Sequence, residues 1–492
     1  MNPIKKLASQ TAVYGLSTIL GRMFNYLLVP IYTRIFVPEV YGVVTEFYAY
    51  IAFFIVIYTY GMETAFFRFI SKENKRGVYG TSIVSVFSTT LLLSALLCIF
   101  SQPIASILQY PNHSEYVIYF ALIVALDALS ALPFAKLRHE EKALRFSVIK
   151  LINIATNIGL NLFFLIYCPA ILKNDNHVLH SLASAIYNPN IGVAYIFISN
   201  LIASAIAFLL LLPDFLQSKF EFNKEVYGKM LTYALPLLVA GFAGMVNETL
   251  DRILIKYLVT EKSTAMHQLG IYGANYKLAM LMTIFIQTFR YAAEPFFFSD
   301  SKNKNSKETL AKVLKYFVIV ALFIFLSVTL FIDFFKHFIG EEYHSGVKIV
   351  PILLLANFCL GVFFNLSIWY KITEQTKYGA YFAFLGAVIT ICGNFLLIPE
   401  IGYMGAAYTT LICYATMMLF AYFTGKKHYP IPYEVGRIIT YIILALLLFV
   451  LSGYISLKIP KGDMLIYIVN SGLLLVYFLL VYALERGKKS LT

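Results

Sequence analysis

The sequence predicts an all-α integral membrane protein with about 14 transmembrane helices, and three observations support that fold class. First, 60% of the 492 residues are apolar and 13% are charged, against about 45–50% and 25% in soluble domains. Second, the apolar residues fall into long runs of about 20 residues, the length that crosses a hydrocarbon core about 30 Å thick. Third, the segments between the runs are too short to hold a sizeable soluble domain.

Fourteen apolar runs, each bounded by charged residues, proline or glycine, are the predicted spans. They lie at about 9–33, 42–67, 79–101, 116–134, 147–168, 191–212, 231–257, 271–298, 313–333, 349–370, 379–398, 403–424, 438–457 and 464–484. This division predicts an N-terminal six-helix lobe (1–213), a cytoplasmic interfacial linker (214–230), a C-terminal six-helix lobe (231–424) and two additional helices (425–492).

Basic residues predict the orientation of the spans. Alternate segments, counted from the N-terminus, carry 25 Lys and Arg residues, whereas the intervening segments carry 7. Because cytoplasmic loops are enriched in Lys and Arg, both termini are expected in the cytoplasm. This bias accounts for most of the net charge of +13 without a nucleic-acid partner. The N-terminal run contains Arg22 and has no A-x-A-like cleavage site, so we expect the first helix to be retained.

The two six-span blocks resemble each other in sequence, which predicts an internal duplication. The matched positions are Asn25 with Asn247, Tyr41 with Tyr272, Gly42 with Gly273, Glu63 with Glu294, Glu141 with Glu374, Asn161 with Asn394 and Gly192 with Gly405. Six is an even number of spans, so both copies insert in the same direction. We therefore expect a pseudo-two-fold axis along the membrane normal and a cavity between the two lobes.

Cations within the predicted spans are candidate substrate-binding residues, because a charge at mid-bilayer costs about 2.5–3.5 kcal/mol on insertion scales. The predicted cationic cavity consists of Arg22, Arg252, Lys256, Lys277 and Arg290. Glu248, Arg252 and Lys256 are spaced four residues apart and share one helix face. The alternative is a local Glu248–Arg252 pair with Lys256 extended to the outer interface.

Acidic residues within the spans are predicted to balance charge or to gate the cavity. They are Glu46, Glu63, Glu248, Asp251 and Glu294. The repeat places Glu46 opposite Lys277, which predicts an ion pair between the lobes. Two structural alternatives remain open: Arg290 and Glu294 form a local pair, or Glu63 and Glu294 are satisfied by helix ends and basic loops.

Enzyme and metal motifs are absent from the sequence. HExxH, GxSxG and the P-loop pattern are missing, and the five cysteines fall singly within apolar runs without metal-type spacing. We therefore expect no cofactor, no metal and no catalytic residue. Without a nucleotide site, transport energy is expected from an ion gradient, the membrane potential or the substrate gradient.

Three stretches carry a resemblance to a known family. The run from Pro30 to Gly42, the stretch Asn394–Pro399 followed by Gly402–Ala407, and the loop Leu137–Lys142 resemble segments of polysaccharide (O-antigen-type) flippases. This family belongs to the multidrug/oligosaccharidyl-lipid/polysaccharide (MOP) exporter superfamily. The resemblance covers essentially the whole chain.

The resemblance implies a multi-pass protein of the bacterial inner membrane that moves a polyprenyl-diphosphate-linked oligosaccharide to the outer leaflet by alternating access. It implies that Arg22, Arg252, Lys277 and Arg290 meet the diphosphate and sugar acids. Met23, where the peptidoglycan-lipid branch tends to place an acid, favours a surface-polysaccharide substrate such as O-antigen for lipopolysaccharide. The implied partners are membrane lipids, a coupling ion (H⁺ or Na⁺) and other polysaccharide assembly proteins.

Two other functions compete with the flippase. One is an ion-coupled multidrug exporter of the same superfamily. The other is an integral-membrane glycosyltransferase or polysaccharide polymerase. The longest predicted external loop, 169–190, contains Asp175 as its one acid, which argues against sugar chemistry there.

Overall fold

The described chain is built from α-helices joined by short loops and turns. The computed structural model describes residues 21, 23–71, 75–218, 220–300, 305–460 and 464–486, with the side chains of 75, 76, 294, 295 and 298–300 outside the description. In chain order the helices are α1 (Val29–Ile35), α2 (Pro38–Thr59), α3 (Met62–Phe69), α4 (Lys75–Ile99), α5 (Ser101–Ile107), α6 (Ser114–His139), α7 (Ala143–Leu162), α8 (Cys168–Leu172), α9 (His180–Ile186), α10 (Ala194–Leu216), α11 (Lys224–Leu258), α12 (Ala265–Asp300), α13 (Ser306–Leu330), α14 (Ile332–Phe335), α15 (Val350–Leu366), α16 (Ile368–Ile372), α17 (Lys377–Ile401), α18 (Tyr403–His428), α19 (Val435–Ser456) and α20 (Leu465–Arg486).

Thirteen helical segments in the described part of the chain are long and apolar enough to cross a membrane. They are Pro38–Phe69, Gly77–Ile99, Ser114–His139, Ala143–Leu172, Ala194–Leu216, Lys224–Leu258, Lys262–Ala293, Ser306–Leu330, Glu341–Ile372, Lys377–Ile401, Tyr403–His428, Val435–Ser456 and Leu465–Arg486. Each overlaps one predicted span from the second to the fourteenth, so these predictions are confirmed. The predicted first span, 9–33, lies mostly outside the described residues.

The second predicted span is interrupted rather than continuous. Tyr60 and Gly61 both have left-handed backbones, with φ of 31° and 75°, and they separate α2 from α3. A Cβ on Gly61 would lie 3.0 Å from the carbonyl oxygen of Ala234. Glycine is therefore favoured at position 61 for two reasons. It adopts a positive φ without strain, and its lack of a Cβ leaves room for the close approach of α11. Apolar run length did not reveal the break, because the residues on both sides of it are apolar.

The chain divides into two compact units, Met1–Ile253 and Leu254–Thr492, named unit 1 and unit 2. In unit 1, α6 is the central helix and contacts α2, α4 and α10, while α7 packs on α10. Met62, Phe66 and Ile83 belong to its main apolar cluster and are fully buried. The boundary between the units falls within α11, and the predicted lobe boundaries stay predictions.

In unit 2, α15 is the central helix. It contacts α12, α13 and α18, and α17 packs along α18. The 3-10 helix Glu341–Ile349 precedes α15 and packs on α12, where the Asn275 amide donates a hydrogen bond to the carbonyl oxygen of Tyr343 at 2.8 Å.

Much of the surface of the last two helices, α19 and α20, is exposed. Polar contacts nevertheless bind them to α13. The Lys315 ammonium lies 2.7 Å from a Glu485 carboxylate oxygen, Glu485 also accepts a hydrogen bond from Tyr441 at 2.6 Å, and Asn470 donates one to the carbonyl oxygen of Leu330 at 2.6 Å. The contacts thus involve the buried ammonium of Lys315 on α13 and the buried amide of Asn470 on α20.

Backbone geometry matches the two sequence repeats. Glu141 and Glu374 are both left-handed, with φ of 57° and 58°, as their sequence match predicts. Gly192 and Gly402 are also left-handed, with φ of 52° and 58°. Gly405, the predicted match of Gly192, lies three residues further on within α18, and that match stays a prediction.

Candidate functional site

The predicted site residues fall in both units. Arg22 and the side chain of Glu294 lie outside the described residues. Unit 1 contains Glu46, Glu63, Glu248, Asp251 and Arg252, and unit 2 contains Lys256, Lys277 and Arg290.

Glu46 is 0% exposed within α2. Its two carboxylate oxygens accept hydrogen bonds from the hydroxyls of Tyr50 at 3.1 Å and Tyr110 at 2.5 Å. The ring of the neighbouring Phe47 lies 5.7 Å, centroid to centroid, from that of Tyr110. The carboxylate is therefore held by hydroxyl donors within unit 1, and the predicted ion pair with Lys277 stays a prediction.

Glu63 forms an ion pair with Arg138. Both side chains are partly exposed, and the Arg138 guanidinium carbon lies 5.1 Å from the ring centroid of Phe67. Arg138 belongs to the Leu137–Lys142 loop that carried the family resemblance. This geometry supports the structural alternative for Glu63, in which a basic loop satisfies the acid.

The predicted polar face of α11 changes in burial along its length. Glu248 is exposed, Arg252 is half-buried, and Lys256 is 3% exposed. Asp251 is 4% exposed and accepts a hydrogen bond from the backbone N–H of Arg252 at 2.8 Å. The burial of the Lys256 side chain argues against the alternative in which its ammonium extends to the outer interface. A buried ammonium needs compensating partners.

Helix α12 carries the other two predicted cations, Lys277 and Arg290, which are both half-buried. The guanidinium carbon of Arg290 lies 4.0 Å from the ring centroid of Phe364, a cation–π geometry. Arg290 also lines a cavity of about 10 Å³ with Asn365, which is about the space of one water molecule.

Sequence reasoning missed Lys150 on α7. Its ammonium lies 4.2 Å from the ring centroid of Phe134 and interacts electrostatically with Asp127 and Glu63. Asp127 accepts a hydrogen bond from Ser204 at 2.8 Å. The signal that could have found Lys150 is its position inside the fifth predicted span, 147–168, where a cation is costly.

A chain of amides also crosses the interior of unit 1. The Tyr32 hydroxyl donates to Asn161 at 2.9 Å, Asn161 donates to Asn157 at 3.1 Å, and Asn157 donates to Asn25 at 3.3 Å. Asn25 and Asn161 belong to the matched repeat positions, whereas Asn157 was missed. Unit 1 therefore contains a hydrogen-bonded polar interior as well as apolar packing.

A protein-family match covers more than half of the chain. Residues 7–301 match the family described as polysaccharide biosynthesis protein. A Haemophilus influenzae relative, named Lsg locus putative protein 1, is 22% identical over 303 residues, which are 61% of this chain and 68% of that protein. An uncharacterized membrane protein of Methanocaldococcus jannaschii is 24% identical over 413 residues, 76% of this chain and 75% of that protein.

Solved structures share the fold. The lipid II flippase MurJ in an inward closed conformation has a TM-score of 0.72 and 14% identity, over 96% of this chain and 98% of that one. An inward-facing multidrug resistance MATE family transporter of the MOP superfamily has a TM-score of 0.61 and 15% identity, over 85% and 97%. The all-helical architecture is thus that of MurJ and MATE transporters. The chain belongs to the polysaccharide biosynthesis protein family.

Proposed function

We propose that this protein flips a polyprenyl-diphosphate-linked oligosaccharide, such as an O-antigen unit, from the cytoplasmic to the outer leaflet by alternating access. The proposal places it in a bacterial inner membrane with both termini in the cytoplasm. It uses the predicted lobes 1–213 and 231–424, the linker 214–230 and the additional helices 425–492. Family membership and the positive-inside bias support these assignments.

The proposal rests on three cations that lie at different positions along the membrane-crossing helices of unit 2. On α12, Lys277 lies twelve residues from the start of the helix and Arg290 lies thirteen residues further. At 1.5 Å per residue, these two cations are about 20 Å apart along the axis. Lys256 lies in the last turn of α11. A diphosphate crossing the membrane would therefore meet a cation at successive depths, which lowers the cost of carrying its charge through a medium of low dielectric constant.

Arg252 and Arg22 complete the proposed path. Arg252 lies on α11 and interacts electrostatically with Tyr41, which belongs to the Pro30–Gly42 run of the resemblance. Arg22 is included in the proposed path only because it lies in the predicted first span. Both arginines can bind phosphate oxygens in bidentate geometry, which a lysine cannot do.

Two competing functions define the alternatives. A multidrug exporter is favoured by the fold shared with MATE transporters. A cationic path, however, fits a diphosphate better than a cationic drug because like charges repel. Against a membrane glycosyltransferase or polymerase stands the longest predicted external loop, 169–190, whose one acid is Asp175.

Reconstitution into liposomes tests the proposal. A fluorescent polyprenyl-diphosphate disaccharide is placed in both leaflets, and an impermeant quencher reports its movement. We expect the wild type to accelerate flipping, and Arg252→Ala and Arg290→Ala each to slow it by about tenfold or more, equivalent to about 1.4 kcal/mol in the barrier. Lys458→Ala is the matched control, because Lys458 is an exposed cation at the end of α19.

Three results would contradict the proposal. Equal flipping by the wild type and both arginine variants would remove the cationic path. Efflux of a cationic dye without lipid flipping would establish the drug exporter instead. Release of free saccharide or a lengthened glycan would establish an enzyme. The thermal stability of each variant in detergent shows whether a slow variant is folded.

A further inference from the structure

A cavity of about 510 Å³ lies in unit 2 where three connecting segments meet. Its lining residues come from 259–271, 345–348 and 398–404, and we name it the Tyr403 cavity. Lys256, Lys277 and Arg290 are not among these lining residues. In the predicted orientation all three segments face the outside of the cell.

Hydrogen bonds hold the three segments together. The Thr260 hydroxyl donates to the carbonyl oxygen of Pro399 at 2.7 Å. The Tyr403 backbone N–H donates to the side-chain oxygen of Gln268 at 3.1 Å, and the Tyr403 hydroxyl donates to the carbonyl oxygen of Ser345 at 3.3 Å. The wall of the cavity is therefore preformed, which lowers the entropic cost of binding a ligand there.

Gly402 makes one of these contacts possible. It has a φ of 58°, and a Cβ at this position would lie 2.2 Å from the Gln268 side-chain oxygen. Only glycine combines this backbone with space for the amide. The turn between α17 and α18 is thus built around a glutamine that faces the cavity.

The polar lining is dense and close to neutral. Its polar side chains are Thr260, Glu261, Thr264, His267, Gln268, Ser345, Lys348, Glu400 and Tyr403. Two carboxylates and one ammonium, with the imidazole neutral, leave a net charge of about −1. This charge disfavours a diphosphate or an acidic sugar. The mixture of hydroxyl, amide and carboxylate groups offers donors and acceptors together, as a polyhydroxylated ligand requires.

An apolar surface accompanies the polar groups. Val259, Ile271 and Ile398 lie beneath the cavity and are buried, so Met404 and the Tyr403 ring provide the accessible apolar contact. The Lys348 ammonium lies 5.6 Å from the centroid of that ring. A saccharide presents hydroxyl edges and a face of C–H bonds, whose partial positive charge suits the negative face of an aromatic ring. The volume lies within the range of small-molecule sites, about 300–1,000 Å³.

We propose that the Tyr403 cavity binds the uncharged sugars of an oligosaccharide on the outer face of unit 2. Tyr403 provides the ring surface, and the exposed Glu400 carboxylate accepts hydrogen bonds from sugar hydroxyls, while Gln268 holds the wall. The inference deepens the proposed flippase function, on which it rests for its physiological ligand: the glycan that has crossed the membrane would dock here. Capture on the outer side disfavours its return.

Direct binding tests the proposal on the full-length protein in nanodiscs, without any lipid-linked substrate. The probes are lactose, N,N′-diacetylchitobiose and maltotriose, with a hyaluronan disaccharide as the acidic comparison, measured by saturation-transfer NMR. We expect at least one neutral probe to bind with Kd of about 1 mM, and the acidic probe to bind about threefold or more weakly.

Two variants and two matched controls locate the site. Glu400→Gln and Tyr403→Ala are expected to weaken binding about tenfold. Glu342→Gln changes an exposed acid of the Glu341–Ile349 segment that does not line the cavity. Tyr454→Ala removes an exposed ring that also lies near an ammonium, with the Lys458 nitrogen 4.6 Å from its centroid. Both controls should retain binding within about twofold.

The outcomes separate this inference from the function on which it rests. No binding of any neutral probe, or equal binding by all five proteins, overturns the sugar site even if lipid flipping is intact. Stronger binding of the acidic probe overturns the neutral-sugar assignment. Saccharide binding that is lost in Glu400→Gln and Tyr403→Ala, in a protein that does not flip the lipid substrate, supports the site and contradicts the flippase.

Discussion

Two cavities of similar volume differ in whether their charged groups bind one another. The cavity in unit 1, of about 630 Å³, is lined by Lys136, His139, Glu140, Gln217 and Glu221 among others, and we name it the Lys136 cavity. Lys136 is 9% exposed, donates a hydrogen bond to Gln217 at 2.5 Å and lies 3.8 Å from Glu140. In the Tyr403 cavity, neutral groups hold the walls together, and Lys348 and Glu400 are exposed.

The difference shows that cavity volume is a poor guide to binding. In the Lys136 cavity the charged groups neutralise and bind one another, so a ligand would have to replace contacts that already stabilise the fold. In the Tyr403 cavity the wall is formed by backbone carbonyls, an amide and hydroxyls, and exposed charged groups surround the opening. We therefore assign a structural role to the Lys136 cavity and ligand binding to the Tyr403 cavity.

The largest expected effect concerns Asp214, beside the Lys136 cavity. Its side chain is 1% exposed and pairs with Arg145 at 2.6 Å. Arg145→Ala should destabilise the protein by about 3 kcal/mol, because it leaves a buried carboxylate uncompensated. Denaturant unfolding in detergent, followed by circular dichroism, measures the change.

The double variant Arg145→Met with Asp214→Leu is the control for this prediction. Because replacing both members of a buried ion pair is often neutral or stabilising, it should recover most of the lost stability. A wild-type-like stability of Arg145→Ala alone would show that the pair carries little of the structure of unit 1.

The next largest effect compares the two lysines directly. Lys136→Met should cost about 2 kcal/mol, since it removes a hydrogen bond that the buried Lys136 ammonium donates to Gln217, within the range for a hydrogen bond of a charged group. Lys348→Met should change stability by less than about 0.5 kcal/mol, as is usual for exposed positions. Both are measured by the same unfolding assay, and equal costs for the two variants would break the distinction between the cavities.

A smaller effect is expected at Glu46. Tyr110→Phe removes the hydroxyl that donates to its buried carboxylate and should cost about 1.5 kcal/mol, the lower end of the range for a hydrogen bond to a charged group. Tyr50→Phe, which removes the longer 3.1 Å bond, should cost less. The reverse order in unfolding experiments would show that Tyr110 is not the main partner of Glu46.

The smallest expected effect tests the duplication. Glu141 and Glu374 adopt the same left-handed conformation at equivalent positions, which costs a non-glycine residue about 1 kcal/mol. Glu141→Gly and Glu374→Gly should each stabilise the protein by up to about 1 kcal/mol. Opposite signs for the two variants in thermal unfolding would contradict their equivalence.

The fold was largely predictable because membrane spans are a local property of the sequence. The bilayer sets the length of each apolar run, so thirteen predicted spans agree with the helices of the described residues. The break at Tyr60–Gly61 was not predictable in this way. It depends on the approach of α11, which is remote in sequence and contributes Ala234 at that point.

The candidate site was less predictable, and the reason is the same at each residue. The sequence marked Glu46 and Glu63 as costly charges within spans, but the closer hydroxyl partner of Glu46 and the cation that pairs with Glu63 lie on other elements. Tyr110 and Arg138 hold the two acids, and neither lies near its acid in the sequence. Lys150 and Asn157, both on α7, were overlooked because the remote groups that they contact, Asp127 and Asn25, are far from them in the sequence.

The sequence by itself determined the membrane class and the number and position of the described spans, because each depends on composition and run length along the chain. Only the tertiary structure decided which charges neutralise one another, where the second span breaks and where a preformed polar cavity opens. These features depend on side chains that are far apart in the sequence and come into contact when the helices pack. The pattern of apolar residues along the chain does not reveal such contacts.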